Sequence, residues 1–350
     1  QPTPYVDIPH PGDKLKWSDF SIRFLMNQDM SNYKELYDWL NSIGVSRSST
    51  DYNSFAGGNI ANVSGQLNSI LGSGKGNAGY GQAAVSNVTA QSSLITATQW
   101  TTLVNGVNKV RKHQSGAGFT NLSTYTAATI VNANNDISSN LTTGYTNRLL
   151  FAANGTTTTG STFSPNFTAP DDTNPATFEF SRIATFASAD QARYFFNAGG
   201  QINFVVTGVT NTGATQRGES LRTLAANNFA SLSFLAGNNG GRTGTGGTVT
   251  SSNTSIGYYD STTSNVSVLL LTSTSSAYTG DTCNVVVKTN GAQGSNLDNG
   301  TTMTMSMVLY SDAQSPSFDD SIDITVNHRI DVIYPSTTFL SNTWGSVTIS

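Results

Sequence analysis

The chain has 350 residues, with 17 Lys and Arg against 21 Asp and Glu, for a formal net charge of −4. Its 37% hydrophobic content can fill folded cores, which excludes wholesale disorder, while the scattered charge offers no strong field for nucleic acid or an anionic membrane. Only 11% of residues are charged, less than half of the roughly 25% usual in soluble domains, and 33 Gly call for frequent turns.

The charge is also unevenly placed. Eleven charged side chains fall within residues 1–50, and beyond Ser46–Thr50 the chain turns to Ser, Thr, Asn, Gly and β-branched residues. Two segments with different jobs are expected. Because the sequence begins with Gln1, a processed or incomplete product is expected. No apolar run approaches the roughly 20 residues of a membrane span, and no signal-peptide pattern is evident, so a soluble chain is expected. The lone Cys283 has no internal partner; within Cys283-Asn284-Val285-Val286-Val287 it reads as a buried small hydrophobe.

In chain order, the first element is a strand. Phe20, Ile22, Phe24 and Met26 alternate with mostly polar neighbours, and Ser31 to Ile43 then places Tyr33, Leu36, Tyr37 and Leu40 on one helical face, with Gly44 as terminator. One strand with both edges unpaired is not stable alone, so sheet-edge addition through Phe20–Met26 is expected. Pro11-Gly12-Asp13-Lys14-Leu15, Phe24-Leu25-Met26-Asn27-Gln28-Asp29 and Asn32-Tyr33-Lys34-Glu35-Leu36-Tyr37-Asp38-Trp39-Leu40 resemble tail-tube and tube-initiator proteins of contractile-tailed bacteriophages. The resemblance covers about 35 residues and implies part of a tube-type fold. Residues 1–50 are therefore expected to be a docking segment, either native to this chain or joined from a second virion protein.

Three helical seams follow: Ile60, Val63, Leu67 and Ile70; Trp100, Leu103, Val107 and Val110; Ile130, Asn134, Ile137 and Leu141. Thr96 or Thr98 is the expected N-cap of the second, which should end near Gly116 with Arg111, Lys112 and His113 complementing the helix dipole. The loop Gly72–Gln82 lacks the P-loop spacing and follows a helix, so a turned connector is expected rather than a phosphate cradle.

Residues 175–350 alternate apolar-polar runs with turn clusters. Strands are expected at Thr177–Thr185, Gln201–Gly208, Ala230–Leu235, Val266–Thr272, Asn284–Thr289, Thr302–Tyr310 and Ser321–Val332. A short helix at Asp190–Asn197 should pack aromatics on the sheets and end at Ala198-Gly199-Gly200. The expected class is mainly β: an antiparallel β-sandwich, jelly-roll-like with eight strands, over residues 151–350, preceded by short helices over 51–150 that serve oligomerisation or attachment.

Gly79-Tyr80-Gly81-Gln82, Ile95–Trp100, Arg111–Gly116 and Phe186–Gly200 resemble virion structural proteins of tailed phages, notably those of marine cyanobacteria. This resemblance extends over residues 52–350. It implies a particle component in the tail, baseplate or neck, with other virion proteins as partners, and a homo-oligomer such as a trimer. The interface candidates are Phe20, Ile22, Phe24, Met26, Trp100, Leu103, Val107 and Val110. Alternatives are a receptor-binding adhesin, with Tyr258, Tyr259 and Tyr278 stacking on host surface glycan, or a capsid decoration protein.

No enzyme is expected, nor a cofactor or metal site. Only Glu35, Glu179 and Glu219 occur, and the adjacent pairs Asp171-Asp172 and Asp319-Asp320 suit turns better than paired acid-base chemistry. Asp319, Asp320 and Asp323 do not match an EF-hand, and His10, His113 and His328 are far apart without a zinc motif.

Overall fold

The computed structural model describes residues 63–86, 97–118, 130–171, 174–291, 299–312 and 321–350. The strand-helix unit with Phe20, Ile22, Phe24 and Met26 lies outside the described residues, as do His10, Ile60, Asp172, Asp319 and Asp320.

Three helices come first: α1 over residues 63–71, α2 Ala97–Ser115 and α3 Ile130–Thr146. The apolar positions repeating at helical spacing are the buried ones: Val63, Leu67 and Ile70 on α1, Leu103, Val107 and Val110 on α2, Ile137 and Leu141 on α3. They meet. A Cβ on Gly106 of α2 would lie 2.5 Å from Leu67 Cδ2, and one on Gly144 of α3 would lie 3.1 Å from Val110 Cγ1 and 3.5 Å from Ile70 Cδ1. Small residues at these two crossings let the helices close. Helix α2 begins at Ala97, which puts Thr98 inside its first turn, and ends at Gly116, whose φ is 77° and whose N–H donates to the Lys112 carbonyl at 2.8 Å.

The rest of the chain is mainly β, with two antiparallel sheets and a few helices. Its strands are β1 Asn154–Thr159, β2 Asn166–Ala169, β3 Ala176–Thr185, β4 Gln201–Asn211, β5 Ser231–Phe234 and β6 Asn239–Arg242. They continue as β7 Thr248–Ser252, β8 Val266–Thr272, β9 Thr282–Thr289, β10 Thr302–Ser311, β11 Ile322–Pro335 and β12 Thr348–Ile349. One sheet has the order β1-β11-β4-β5-β6, with β2 pairing the other half of the long β11; the second runs β12-β3-β10-β9-β8-β7. Each of the seven expected strands is present within a few residues. The expected total of eight is exceeded, because β1, β2, β6, β7 and β12 are short and largely polar and carry no apolar alternation to announce them. Strand β6 falls inside the glycine-rich stretch 237–247.

Period-two burial is clear on the central strands. Met303, Met305, Met307 and Leu309 of β10 and Ile322, Ile324 and Val326 of β11 are all buried. Ser306, on the opposite face of β10, is buried as well, so that face is not uniformly wet. The sheets touch through aromatic rings: Phe180 of β3 lies 6.4 Å from Phe204 of β4 and 4.5 Å from the His328 ring of β11.

The chain crosses from β3 to β4 through α4, Ala189–Asn197, as its sequence announced. Ser188 caps it by accepting the Gln191 N–H, and Gly199, at a φ of 95°, turns the chain after it. Tyr194, Phe195 and Phe196 are buried, Phe196 stacking on Tyr258 with centroids 4.3 Å apart. A second helix, α5 Gln216–Arg222, passes directly into a π-helical turn over Thr223–Phe229. Helices and sheets share one continuous apolar core.

Candidate functional site

Two polar assemblies stand out. The first joins the helices to the sheets around residues 72–82. Here the chain turns back on α1, with the Tyr80 N–H donating to the Ile70 carbonyl at 3.0 Å and the Gln82 N–H to the Leu71 carbonyl at 2.7 Å. Toward α4 and Tyr259 the turn presents C=O groups. Arg193 of α4, almost fully buried, donates to the carbonyls of Gly74 and Ala78 while pairing with Asp190 at 2.8 Å. Asn197 Nδ2 donates to the Gly79 carbonyl at 3.0 Å, and Tyr259 Oη donates to Gly76 O at 2.9 Å. A phosphate cradle needs inward N–H groups; this loop turns carbonyls to a cation, which is the opposite polarity.

The same seam holds three further joints. Gln114 Nε2 donates to Tyr80 Oη at 2.9 Å, and Tyr80 Oη donates to the Arg148 carbonyl at 2.6 Å. Gln82 Nε2 donates to the Ser341 carbonyl at 2.9 Å, tying the loop to the last turn of the chain. His113 Nε2 lies 2.9 Å from the Ala198 carbonyl. Burial lowers the His113 pKa, the Ala198 hydrogen bond opposing it only in part, so His113 acts as a neutral donor rather than as a cation for the helix dipole.

The second assembly is a cleft of about 510 Å³ between α5 with its π-helical turn and the segment after β8. Its walls are Thr215, Gln216, Glu219, Ser220, Thr223 and Asn228 on one side and Ser273, Thr274, Ser275, Ser276 and Ala277 on the other. Ala214 and Ala230, at φ of 51° and 59°, are the non-glycine residues with positive φ among the described residues, and they bracket this helical wall. At the cleft floor Ser220 Oγ and Ser273 Oγ are 2.9 Å apart. Glu219 is held below the usual carboxylate range by Arg222, which forks onto it at 2.6 and 2.5 Å.

Beneath the floor sit Arg217 and Asp281, both fully buried. Arg217 Nε donates to Ser311 Oγ at 3.0 Å and Nη2 to the Asn174 carbonyl at 2.7 Å; its Nη1 has no partner among the described residues. Asp281 Oδ1 accepts the Asp312 N–H at 3.0 Å, and Oδ2 makes no well-formed hydrogen bond among the described residues. Burial pushes the Asp281 carboxyl up to about 6, against the opposing pull of the Ser220 and Ser311 hydroxyls, the Asp312 N–H and the Arg217 charge. Strained backbone, a buried acid and a hydroxyl-lined opening therefore coincide here. The cleft offers hydrogen bonds to a neutral, polyhydroxylated molecule.

The residues singled out from sequence are dispersed. Leu103, Val107 and Val110 are 1%, 0% and 1% exposed, covered by this chain's own helices, and Trp100 is half-buried against the same core. Within one copy the first three present no surface to another. Tyr258 and Tyr278 are fully buried, which removes them as stacking platforms for a sugar; Tyr259 is half-buried and spends its hydroxyl on the loop seam. His328 is buried among Phe163, Phe180 and Phe204. Cys283 is fully buried, and desolvation pushes its thiol up to about 12. Among the described residues no group of three His, Cys, Asp or Glu is placed to hold a metal ion, and no described helix is long and apolar enough to cross a membrane.

Sequence reading missed the cleft because most of its residues are Ser, Thr and Ala, abundant everywhere in this chain. The one local signal was Arg217-Gly218-Glu219-Ser220, a charged cluster in a segment with few charges. No family model matches the chain, and no curated protein and no solved structure matches it.

Proposed function

We propose that this chain is a structural component of a tailed-phage virion, placed in the tail, baseplate or neck, and acting by assembly rather than catalysis. In this reading the two sheets make a jelly-roll-like β-sandwich turned outward, and residues 1–50 dock on other virion proteins as a tube-like strand-helix segment. The observation that carries it is the seam at residues 72–82. Arg193, Asn197, Tyr259 and His113 spend their polar groups on fixing the helices to the β body. Helix α1, the first described element, is thereby fixed to the β body by hydrogen bonds as well as by apolar packing. Resemblance at residues 12–45 to tube proteins, and at Phe186–Gly200 to virion proteins, supports the same reading.

Protein mass spectrometry on purified particles of the phage encoding the chain tests it. Recovery at a fixed copy number relative to a known tail protein is expected. A chain found only in the infected-cell lysate and never in particles would overturn the proposal.

A second reading, the receptor-binding adhesin, is favoured by the cleft at Ser220 and Ser273, whose hydroxyls and amides suit host surface glycan. Its test is binding of the full chain to host cells, with Ser276→Trp filling the cleft mouth. Unchanged binding by that variant would remove the cleft from the reading.

A further inference from the structure

Among the described residues strand β1 is terminal in its sheet, with β11 on one side and no strand on the other. All six of its residues, Asn154–Thr159, are exposed, on both faces. That is unusual for a strand in a sheet, because one face is ordinarily covered by the opposing layer. From Asn154 through Ala169 the edge holds no charged residue, and its one Pro, Pro165, lies beyond β1 itself, so β1 lacks the Lys or Pro that commonly protects such an edge. Just past the end of β7, the other exposed terminal strand, the chain is tied to β6: the Asn239 N–H donates to the Thr254 carbonyl at 2.9 Å and Asn239 Nδ2 to the Asn253 carbonyl at 2.9 Å. Among the described residues no strand pairs the outer edge of β1.

The register says which backbone groups are free. Thr158 stands opposite Val332 and Thr159 opposite Asp331, and the Gly160 N–H donates to the Ile330 carbonyl at 2.9 Å. In an antiparallel pair the bonded positions alternate, so Gly160 and Thr158 bond inward to β11 while Thr157 and Thr159 direct N–H and C=O outward.

We propose that β1 is the contact between two copies of this chain, paired antiparallel edge to edge about a two-fold axis at Thr158. Thr157 of each copy then stands opposite Thr159 of the other, and each pair exchanges two hydrogen bonds, four in all. Thr158 faces its own counterpart at the axis as a non-bonded pair, consistent with its inward bonding to β11. The occupant is a second copy because the segment Thr157–Thr159 matches itself about Thr158: threonine meets threonine across the axis, a favourable cross-strand pair, and no like charges oppose. The bulge between Asn154 and Thr157 ends the flat stretch, which confines the contact to these few residues instead of permitting open-ended addition. The inference goes beyond the particle reading and holds whether or not the chain belongs to a virion.

Sedimentation equilibrium of the full chain, at about 100 μM because a short edge contact is weak, tests it. Thr158→Lys sets two like charges at the axis, and Thr157→Pro removes an outward N–H that β11 does not use. Both variants are expected to halve the wild-type mass while keeping the wild-type circular dichroism spectrum, and Thr250→Lys on β7 to leave the mass unchanged. Three results would overturn the proposal: a wild-type monomer, a wild-type mass that survives both β1 variants, or loss of fold in Thr158→Lys, whose side chain is exposed.

Discussion

His113 Nε2 lies 2.9 Å from the carbonyl oxygen of Ala198, so the last turn of α2 is fastened to the C-cap of α4 by a neutral imidazole. The sign of its pH dependence follows. Burial puts the folded pKa below the unfolded value, so the stabilisation is complete above about pH 6.5 and is lost as pH falls and the unfolded chain takes up the proton. His328 shifts in the same direction, so the His113 contribution has to be isolated by difference. His113→Gln keeps an N–H donor without the titration; its stability deficit relative to wild type is expected to shrink between pH 7 and pH 5, measured by urea unfolding.

Asp281 acts with the opposite sign. Its folded pKa, about 6, is above the unfolded value of 3.8, so the neutral acid is favoured and stability falls as pH rises from the unfolded value through the folded one. Asp281→Asn is expected to equal wild type or fall slightly below it at pH 4. It should gain by up to about 3 kcal/mol relative to wild type by pH 7. A constant difference across that range would contradict the buried-acid assignment.

Arg193 is the centre of the seam. Arg193→Met keeps most of the apolar stem but strands the Gly74 and Ala78 carbonyls and leaves Asp190 unpaired, for an expected cost of about 3 kcal/mol. Limited proteolysis supplies the local readout. Cleavage within residues 72–82 should appear in the variant under conditions where wild type resists.

Val107, fully buried between the helices, separates core from interface. Val107→Ala is expected to lose about 1–3 kcal/mol with no change in sedimenting mass. A drop in mass at unchanged fold would return the α2 seam to the role of an inter-subunit contact.

Periodicity made much of this architecture legible. Leu67 with Ile70, Leu103 with Val107 and the Met303–Met307 alternation all mark buried faces, and Ser188 with Gly199 bounds α4. What periodicity cannot supply is which faces meet. Leu103, Val107 and Val110 read equally well as a seam between copies or within one, and the partner helices α1 and α3 decide it. The short strands were illegible because polar runs such as the four threonines of β1, exposed on both faces, carry no alternation. The cleft depends on a π-helical turn and on Asp281, which is brought beside Ser220 from 61 residues away in sequence, a long-range relation that no local motif encodes.

The most direct measurement is a reconstruction of the purified phage particle in which this chain is traced. The account predicts residues 1–50 seated on the tail, baseplate or neck, α1–α3 next to them, and the two sheets facing outward. A particle without the chain, or one in which residues 1–50 touch no other virion protein, would contradict it.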